Sequence, residues 1–305
     1  MNAKPPIDER RAQWAGLLGP LPTRPADDRP RVLSQEFLAD HVRTLVGYAT
    51  EDDSRTDAFV LAPHAPPPPD GWPGAVVFHA TSDNHILQPV GLADRPTRHL
   101  GVELVRRGFV VVCPRNFIYG YRGRTWTDAV EELARRHPGI TGIGKMLWDG
   151  IRALDVLAEW PGVDPARLGC AGHSLGAKEA LYLAAFDPRV RAAVSSEGGV
   201  GLAMSNWDAP WYWGARFRDI PSGRDHHELL AMTAPRAFLL VGGGDADGEH
   251  SRPLVDAARP AFGKAGAADR LALLVHDKGH DLPDAIRARC HDWLDRKSTR
   301  LNSSH

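Results

Sequence analysis

From residue 74 onward, short apolar runs alternate with longer stretches in which apolar residues recur every three or four positions. The runs are apolar on both faces, as expected for parallel strands covered by helices on both sides. They predict strands at 75–78, 109–113, 167–171, 190–195, 237–241 and 271–275, separated by helices at 97–107, 144–160, 176–186, 251–264 and 283–294. This order predicts a doubly wound, mostly parallel α/β sheet with its functional loops after the carboxyl ends of the strands.

The chain before residue 74 has a different pattern. Apolar residues among charges predict a short helix at 7–18, and a proline-rich connector follows. Two strands, at 42–48 and 58–61, are joined by a polar turn, and the prolines of 63–73 predict a stiff loop. We therefore divide the chain into an N-terminal extension (1–41), a main domain (42–294) with an insertion at about 197–229, and a tail (295–305). The tail resembles the translation of a common sequencing adapter, and we assign it no role.

Composition and charge argue against several classes of protein. Among 305 residues, 37 are Lys or Arg and 38 are Asp or Glu, so a broad basic face for nucleic acid or an anionic membrane is not expected. No apolar window approaches the roughly 18 residues of a membrane span, and the first residues lack a signal-peptide pattern. The three cysteines are far apart, which indicates free thiols in a reducing compartment. We expect a soluble cytoplasmic protein; its oligomeric state is not predicted.

The strongest chemical signal is Gly172-His-Ser-Leu-Gly176, which follows a predicted strand and opens a predicted helix. A strand that turns directly into a helix forces the middle residue, Ser174, above the sheet edge, and the flanking glycines allow the close approach. The hydroxyl then lies near the helix N-terminus, which favours developing negative charge. This spacing predicts a nucleophilic serine.

A serine hydroxyl needs an adjacent base that is oriented by an acid. Asp245 follows the strand at 237–241, and His280 follows the strand at 271–275, in the order Ser, Asp, His that this arrangement requires. We predict Ser174, Asp245 and His280 as the catalytic residues. Asp247 and Glu197 remain alternatives for the acid, and His276 is an alternative for the base.

The oxyanion and the substrate require further groups. Leu175, directly after the nucleophile, supplies one backbone N–H, and the loop after residue 78 supplies the other, for which we choose Thr81 over Ala80. The aromatic insertion at 197–229 follows a core strand, where a lid is expected. We predict that one or two of its aromatic rings line the pocket, and the candidates are Trp207, Trp211 and Trp213. No phosphate-binding, dinucleotide or metal motif is present, so we predict no metal and no cofactor.

With these residues in place, the chain resembles the α/β-hydrolase superfamily, in particular its dienelactone-hydrolase-like and acetylxylan-esterase-like members. The resemblance covers about 42–294 and rests on His79-Ala-Thr81, Arg107-Gly-Phe-Val-Val-Val-Cys-Pro114, Trp148-Asp-Gly-Ile-Arg-Ala-Leu-Asp155 and Gly172-His-Ser-Leu-Gly-Ala177. It implies an α/β-hydrolase catalytic domain with a small aromatic lid. Two departures matter: Ser174 stands where true dienelactone hydrolases use cysteine, and Ala80 replaces the usual glycine after His79.

These features predict a serine carboxylic-ester hydrolase that acts on a small-molecule ester through an acyl-enzyme, with an acetyl group on a sugar as the preferred substrate. One alternative is a serine peptidase of the prolyl-oligopeptidase type, which usually carries a large N-terminal propeller for which the residues before the core leave no room. A second alternative is a binding protein that keeps the fold without turnover. The intact set of Ser174, Asp245 and His280 argues against it.

Overall fold

The structure, a computed structural model, describes residues 6–120 and 124–298. Within these ranges, nine strands form one sheet in the order β1-β2-β3-β5-β4-β6-β7-β8-β9. Its strands are β1 (Arg31–Phe37), β2 (His41–Glu51), β3 (Ser54–Pro63), β4 (Trp72–Phe78), β5 (Val110–Pro114), β6 (Val163–His173), β7 (Val190–Ser196), β8 (Ala237–Gly242) and β9 (Leu271–Val275). Strands β1 to β3 are antiparallel to their neighbours, and the six strands β4 to β9 run parallel to one another. The mostly parallel sheet expected from the sequence is therefore confirmed.

Helices cover both faces of the sheet. They are α1 (Ile7–Leu18), α2 (Leu100–Val105), α3 (Trp126–Arg136), α4 (Gly142–Ala158), α5 (Leu175–Phe186), α6 (His227–Thr233), α7 (Arg252–Lys264) and α8 (Asp284–Lys297). One buried cluster contains apolar side chains of α1 and of α4 to α7 on one face, and the other contains those of α2 and α8 on the opposite face. Each parallel strand is thus apolar on both sides, as its sequence indicates.

Three elements were not predicted. Strand β1 lies in the N-terminal extension after the proline-rich connector, where no element is predicted because all seven of its residues are exposed and no apolar face marks it. Helix α3 is strongly charged and buries only Ala129 and Leu133 among its eleven residues. The short helix α6 begins inside the predicted insertion, for which no helix is predicted. Its last six residues are all buried, so it carries no amphipathic pattern.

The first and last helices, α1 and α8, lie wholly or partly outside the predicted main domain of residues 42–294. Helix α1 packs on α6 through Trp14, which is completely buried. Helix α8 continues past Leu294 to Lys297, whose ammonium lies 2.5 Å from Asp269. Residues 299–305 of the predicted tail lie outside the described residues, so its assignment stays a prediction. In the described ranges, every helix is too short or too polar to cross a membrane.

Candidate active site

Ser174 sits at the sharp turn between β6 and α5. Its backbone has φ 58° and ψ −116°, a left-handed conformation that few non-glycine residues adopt. The Ser174 amide donates to the carbonyl of Ser196 on β7 at 2.8 Å, which fixes the turn to the neighbouring strand. The strained geometry raises the hydroxyl above the sheet edge at the N-terminus of α5.

The glycines on either side of the turn are required by close packing. A Cβ on Gly172 would lie 2.0 Å from the carbonyl oxygen of Gly176, and a Cβ on Gly176 would lie 2.4 Å from that of Phe78. Both distances are shorter than any real contact of a side chain. Strand β6, helix α5 and strand β4 therefore approach one another only because these two positions lack side chains.

The structure brings Ser174, His280 and Asp245 together. The Nε2 atom of His280 lies 2.9 Å from the Ser174 hydroxyl, and its Nδ1 lies 2.8 Å from Asp245 Oδ2. Hydroxyl, imidazole and carboxylate thus form one hydrogen-bonded chain across three strand ends. The Arg98 guanidinium donates to the main-chain carbonyl of His280 at 2.9 Å, which ties the histidine loop to the start of α2.

Glu197, at the end of β7, is a second carboxylate beside the same imidazole. Its Oε2 lies 3.7 Å from His280 Nδ1, its side chain is completely buried, and its φ of 55° is also left-handed. It accepts hydrogen bonds from the amides of Gly243, Ala246 and Asp247. Burial would raise the pKa of Glu197, but the nearby His280 and the hydrogen bonds from these amides outweigh it and hold the pKa below its usual value.

The other two alternatives from the sequence lie apart from this chain of hydrogen bonds. The carboxylate of Asp247 accepts from the amides of Gly199 and Val200, at 2.8 Å each, and from the hydroxyl of Ser251. Burial raises the pKa of Asp247. The Nδ1 of His276 accepts from the amide of Lys278, in its own loop, at 3.2 Å. These contacts give both residues a structural role.

Leu175 and Thr81, the two proposed oxyanion donors, line the same cavity as Ser174. The loop that carries Thr81 is held by His79, whose Nδ1 donates to the Ala80 carbonyl at 2.9 Å and whose Nε2 accepts from the Asn116 amide at 3.2 Å. Burial lowers the pKa of His79 to about 3, so the ring is neutral and can make both contacts. The proposed role of the two backbone N–H groups stays a prediction.

The cavity in front of Ser174 has a volume of about 360 Å³, within the range of small-molecule sites. A cation lies inside it. Lys178, one helical turn after Ser174, donates to the Gly198 carbonyl and the Ser205 hydroxyl, and its ammonium lies 4.1 Å from the centre of the Trp207 ring and 5.1 Å from that of Tyr212. Burial, opposed by Asp247, lowers the pKa of Lys178 to about 7.

Two of the three tryptophans proposed for the substrate do not line this cavity. Trp207 and Trp213 are 0% and 2% exposed: Trp207 packs beneath the Lys178 ammonium, and Trp213 packs against Trp14. Trp211 lines the cavity as predicted, next to Trp126 of α3. Trp207 and Trp213 are buried because their large apolar side chains fill the space under the insertion.

Sequence reasoning missed two cavity residues for which a signal existed. Lys178 lies four residues after the nucleophile, which places both on one helix face. Trp126 follows Thr125, whose hydroxyl and the Asp128 carboxylate form a capping box, the usual mark of a helix start. Ligand atoms of Glu197, Asp245 and His280 lie within 4.8 Å of one another, close enough to hold a metal ion, but the imidazole already contacts Ser174 and Asp245.

The model of the prolyl oligopeptidase family, Peptidase S9, matches residues 98–280, which include Ser174, Asp245 and His280. This range is more than half of the chain. The chain belongs to the prolyl oligopeptidase family. As a member, it has the α/β-hydrolase fold and is a serine hydrolase, so both sequence predictions are confirmed. The narrower likeness to dienelactone hydrolases stays a prediction.

Two curated relatives match this chain over very different lengths. The putative hydrolase YtaP of Bacillus subtilis (strain 168) is 25% identical over 92% of this chain and 95% of its own length. The 4-O-methyl-glucuronoyl methylesterase 1 of Sodiomyces alcalophilus is 27% identical over 33% of this chain. This chain covers only 25% of that esterase, so the likeness is confined to a part of it.

Solved structures with the same fold include a glucuronoyl esterase from Solibacter usitatus, with a TM-score of 0.71 and 16% identity over 95% of this chain and 92% of that one. A putative acetyl xylan esterase from Bacteroides fragilis has a TM-score of 0.66 and 17% identity over 90% and 75% of the two chains. At such identities the likeness shows a shared fold, and it confirms the expected architecture.

Proposed function

We propose that this serine hydrolase is an esterase that cleaves the ester of a carbohydrate acid through an acyl-enzyme. The observation that carries the proposal is the 2.9 Å contact between the Ser174 hydroxyl and His280 Nε2 in a cavity open to a small ligand. A hydroxyl becomes a nucleophile when a base within hydrogen-bond distance can take its proton. The Asp245 carboxylate, 2.8 Å from Nδ1, orients that base.

The reaction has two halves. Ser174 Oγ attacks the acyl carbon and transfers its proton to His280 Nε2, while the N–H groups of Leu175 and Thr81 stabilise the oxyanion. The carbon–oxygen bond to the alcohol then breaks, and the alcohol leaves with the proton from His280. A water molecule next gives a proton to His280 and attacks the acyl carbon. The bond from that carbon to Ser174 Oγ then breaks, His280 returns the proton to Oγ, and the acid is released.

Lys178 supports a sugar acid as the acyl group. Lys178 lines the cavity that holds Ser174, and it would meet ring hydroxyl or ether oxygens of an acyl group as large as a sugar. An acetyl group, the preference from sequence alone, presents no polar atom beyond the reacting carbonyl and adds no partner to those that Lys178 has in Gly198 and Ser205. The names of the glucuronoyl esterase relatives agree with this choice.

A peptidase activity is the second candidate, because the matching family model is named for an oligopeptidase. Both activities use the same nucleophile and base, so the family match does not separate them. The rank order of substrates does. We expect hydrolysis of the methyl ester of glucuronic acid and no cleavage of prolyl-peptide anilides.

The first experiment tests the nucleophile. A fluorophosphonate probe should label the folded protein at Ser174, and Ser174→Ala should abolish labelling with an unchanged circular dichroism spectrum. His280→Ala should lower kcat for any cleaved ester by several orders of magnitude. Equal labelling of wild type and Ser174→Ala would overturn the proposed mechanism.

The second experiment tests the acyl group. The kcat/KM values for methyl glucuronate, acetylated xylose, p-nitrophenyl acetate and a prolyl anilide are compared in wild type and Lys178→Met. We expect methyl glucuronate to be the best sugar substrate and to lose roughly 10- to 100-fold in kcat/KM in the variant, since one charge-assisted hydrogen bond is worth about 1.5–3 kcal/mol. Preference for the acetylated sugar in both proteins would contradict the sugar-acid assignment.

A further inference from the structure

A second and larger cavity, of about 520 Å³, lies beside the catalytic one and shares two walls with it. Helix α3 contributes Trp126 to the catalytic cavity and Leu133 to the larger one. The loop at 79–88 likewise contributes Thr81 to the first and His85 to the second. From Trp126 to Leu133 the helix advances about 10 Å, at roughly 1.5 Å per residue. This separation is no longer than a short oligosaccharide.

A row of half-buried aromatic rings connects the two cavities. The ring centres are 5.3 Å apart between His85 and Tyr119, 5.5 Å between Tyr119 and Trp126, and 4.9 Å between Trp126 and Trp211. His85 lines the larger cavity, and the two tryptophans line the catalytic one. Partly exposed aromatic rings offer apolar surface on which flat ligands such as sugar rings pack.

The charges around the larger cavity are compensated. Four of the basic side chains that line it form ion pairs with acidic partners: Arg115 with Asp57, Arg124 with Glu132, Arg136 with Glu51 and Asp53, and Lys145 with Asp149 and Glu51. A surplus charge that would select an anionic ligand is thus absent among these pairs. Charged side chains that are held in place by ion pairs can still form hydrogen bonds in fixed directions. Such hydrogen bonds suit the hydroxyl groups of a neutral ligand.

We infer that the larger cavity and the aromatic row form an accessory site for a neutral glycan. The glycan is the chain attached to the ester that Ser174 cleaves, so this inference rests on the proposed function for its link to catalysis. The aromatic row guides the sugar rings from the catalytic cavity, and the paired charges around Arg115 and Lys145 bind their hydroxyl groups. The protein then distinguishes a polymeric ester from a free single-sugar ester.

The binding test uses Ser174→Ala protein, which cannot turn over a substrate, and a calorimetric titration with neutral oligosaccharides of xylose, glucose and mannose. Ala129 of α3 lines the larger cavity, whereas Ala134 of the same helix is exposed and does not. Adding Ala129→Phe should weaken binding at least about tenfold, because the ring occupies the space of a sugar. Ala134→Phe, the same substitution on the outer face, should leave binding unchanged.

Leu87→Trp fills the cavity from the opposite wall and replaces Ala129→Phe if that variant fails to fold, as judged by its melting temperature. Absence of millimolar binding by every neutral oligosaccharide overturns the inference. So does binding that neither cavity variant weakens, or binding of only charged oligosaccharides. Because no turnover is needed, this result is independent of whether the esterase assignment holds.

A kinetic test links the site to catalysis. The kcat/KM values for a methyl glucuronate unit attached to a xylo-oligosaccharide and for the free single-sugar ester are compared. Ala129→Phe should lower the first at least about tenfold more than the second. Equal losses on both substrates would overturn the inference and leave the proposed function in place. Absence of turnover on both in wild type would instead contradict the proposed function.

Discussion

At the scale of single residues, the unusual feature is that two carboxylates face Nδ1 of His280. Asp245 is at hydrogen-bond distance but 60% exposed, whereas Glu197 is completely buried and 0.9 Å farther away, at 3.7 Å compared with 2.8 Å. Exposure weakens the field of a carboxylate, and burial strengthens it. We therefore expect the two residues to have different roles. Asp245 makes the direct hydrogen bond to the imidazole, whereas Glu197 adds a buried negative charge near it and holds the loop at 243–247.

The first prediction concerns Asp245→Asn. Replacement removes the negative charge beside Nδ1 and allows an NH2 group to face it, but Glu197 remains close enough to orient the imidazole, so we expect kcat to fall about 10–100-fold. This loss is smaller than the roughly 10⁴-fold loss when a triad has a single acid. Steady-state kinetics on the best ester measures it, with His280→Ala as the reference for full loss. A loss as large as that of His280→Ala would show that Glu197 contributes nothing.

Glu197→Gln should affect stability as well as rate. The amides of Ala246 and Asp247 both donate to Oε2, and the amide of Gly243 donates to Oε1. In either orientation of the glutamine side chain, its NH2 group would therefore face a backbone N–H donor. We expect the free energy of unfolding at neutral pH to fall by about 1–3 kcal/mol, measured by urea denaturation. Because the pKa of Glu197 is lowered in the fold, its contribution is present above its unfolded pKa and is lost as pH falls through the folded value. The penalty should therefore shrink in acid, and a constant penalty would contradict this account.

Lys178 predicts a pH dependence of substrate affinity. Burial lowers its pKa to about 7, with Asp247 as the opposing charge, so the ammonium loses its proton as the pH rises through neutrality. The KM for methyl glucuronate should rise several-fold from about pH 6 to about pH 8, while the KM for p-nitrophenyl acetate should not follow. In Lys178→Met the KM should be high and flat over this range. A wild-type KM that is flat with pH would exclude the cation from binding.

At the scale of elements, the turn between β6 and α5 depends on two glycines. Gly176→Ala would place a methyl group 2.4 Å from the Phe78 carbonyl, so α5 must move away from β4. We expect a loss of at least about 2 kcal/mol of stability and little remaining labelling of Ser174 by a fluorophosphonate. Gly263→Ala on α7 is the matched control. A methyl group there meets no atom within 4 Å, and it should stabilise the helix by up to about 1 kcal/mol.

The elements that the sequence predicts well are those whose burial is visible in their own residues. Strand β8 is buried at every position and reads as a continuous apolar run. Strand β1 is exposed at every position. It is held by backbone pairing to β2 and by polar contacts such as that between Glu36 and Arg43, so no buried apolar face marks it. Helix α3 has the signal of a capping box but only two buried residues.

The site divides in the same way. Ser174, Asp245 and His280 could be placed because each follows a strand at the same sheet edge, and topology alone brings such loops together. The sequence could not show which tryptophan lines the cavity, because Trp207, Trp211 and Trp213 belong to one irregular segment without periodicity. Which ring faces the cavity depends on packing: Trp207 lies under Lys178, and Trp213 lies against Trp14 of α1, 199 positions earlier.

At the scale of the whole molecule, the first helix is part of the core. Trp14 is completely buried, its indole N–H donates to Glu228 at 2.8 Å, and its ring lies 5.9 Å from that of Trp213. Arg224 donates to the same Glu228 and stacks on the indole at 5.3 Å. Helix α1 thus connects α6 to the segment that covers the catalytic cavity, although residues 1–41 read as an extension in the sequence.

Trp14→Ala should consequently destabilise the entire protein, by about 3–5 kcal/mol in urea denaturation, because it leaves a cavity between α1, α6 and Trp213. Trp14→Phe keeps most of the volume but leaves Glu228 without the indole donor, and it should cost about 1–2 kcal/mol. Phe37→Ala, at a ring that is 74% exposed on β1, is the control and should change stability by less than about 0.5 kcal/mol. If α1 were an independent extension, Trp14→Ala would release it and leave the main unfolding transition and the esterase activity unaltered. A lowered midpoint seen alike by far-ultraviolet circular dichroism and by loss of fluorophosphonate labelling would show that α1, the core and the active site unfold as one unit.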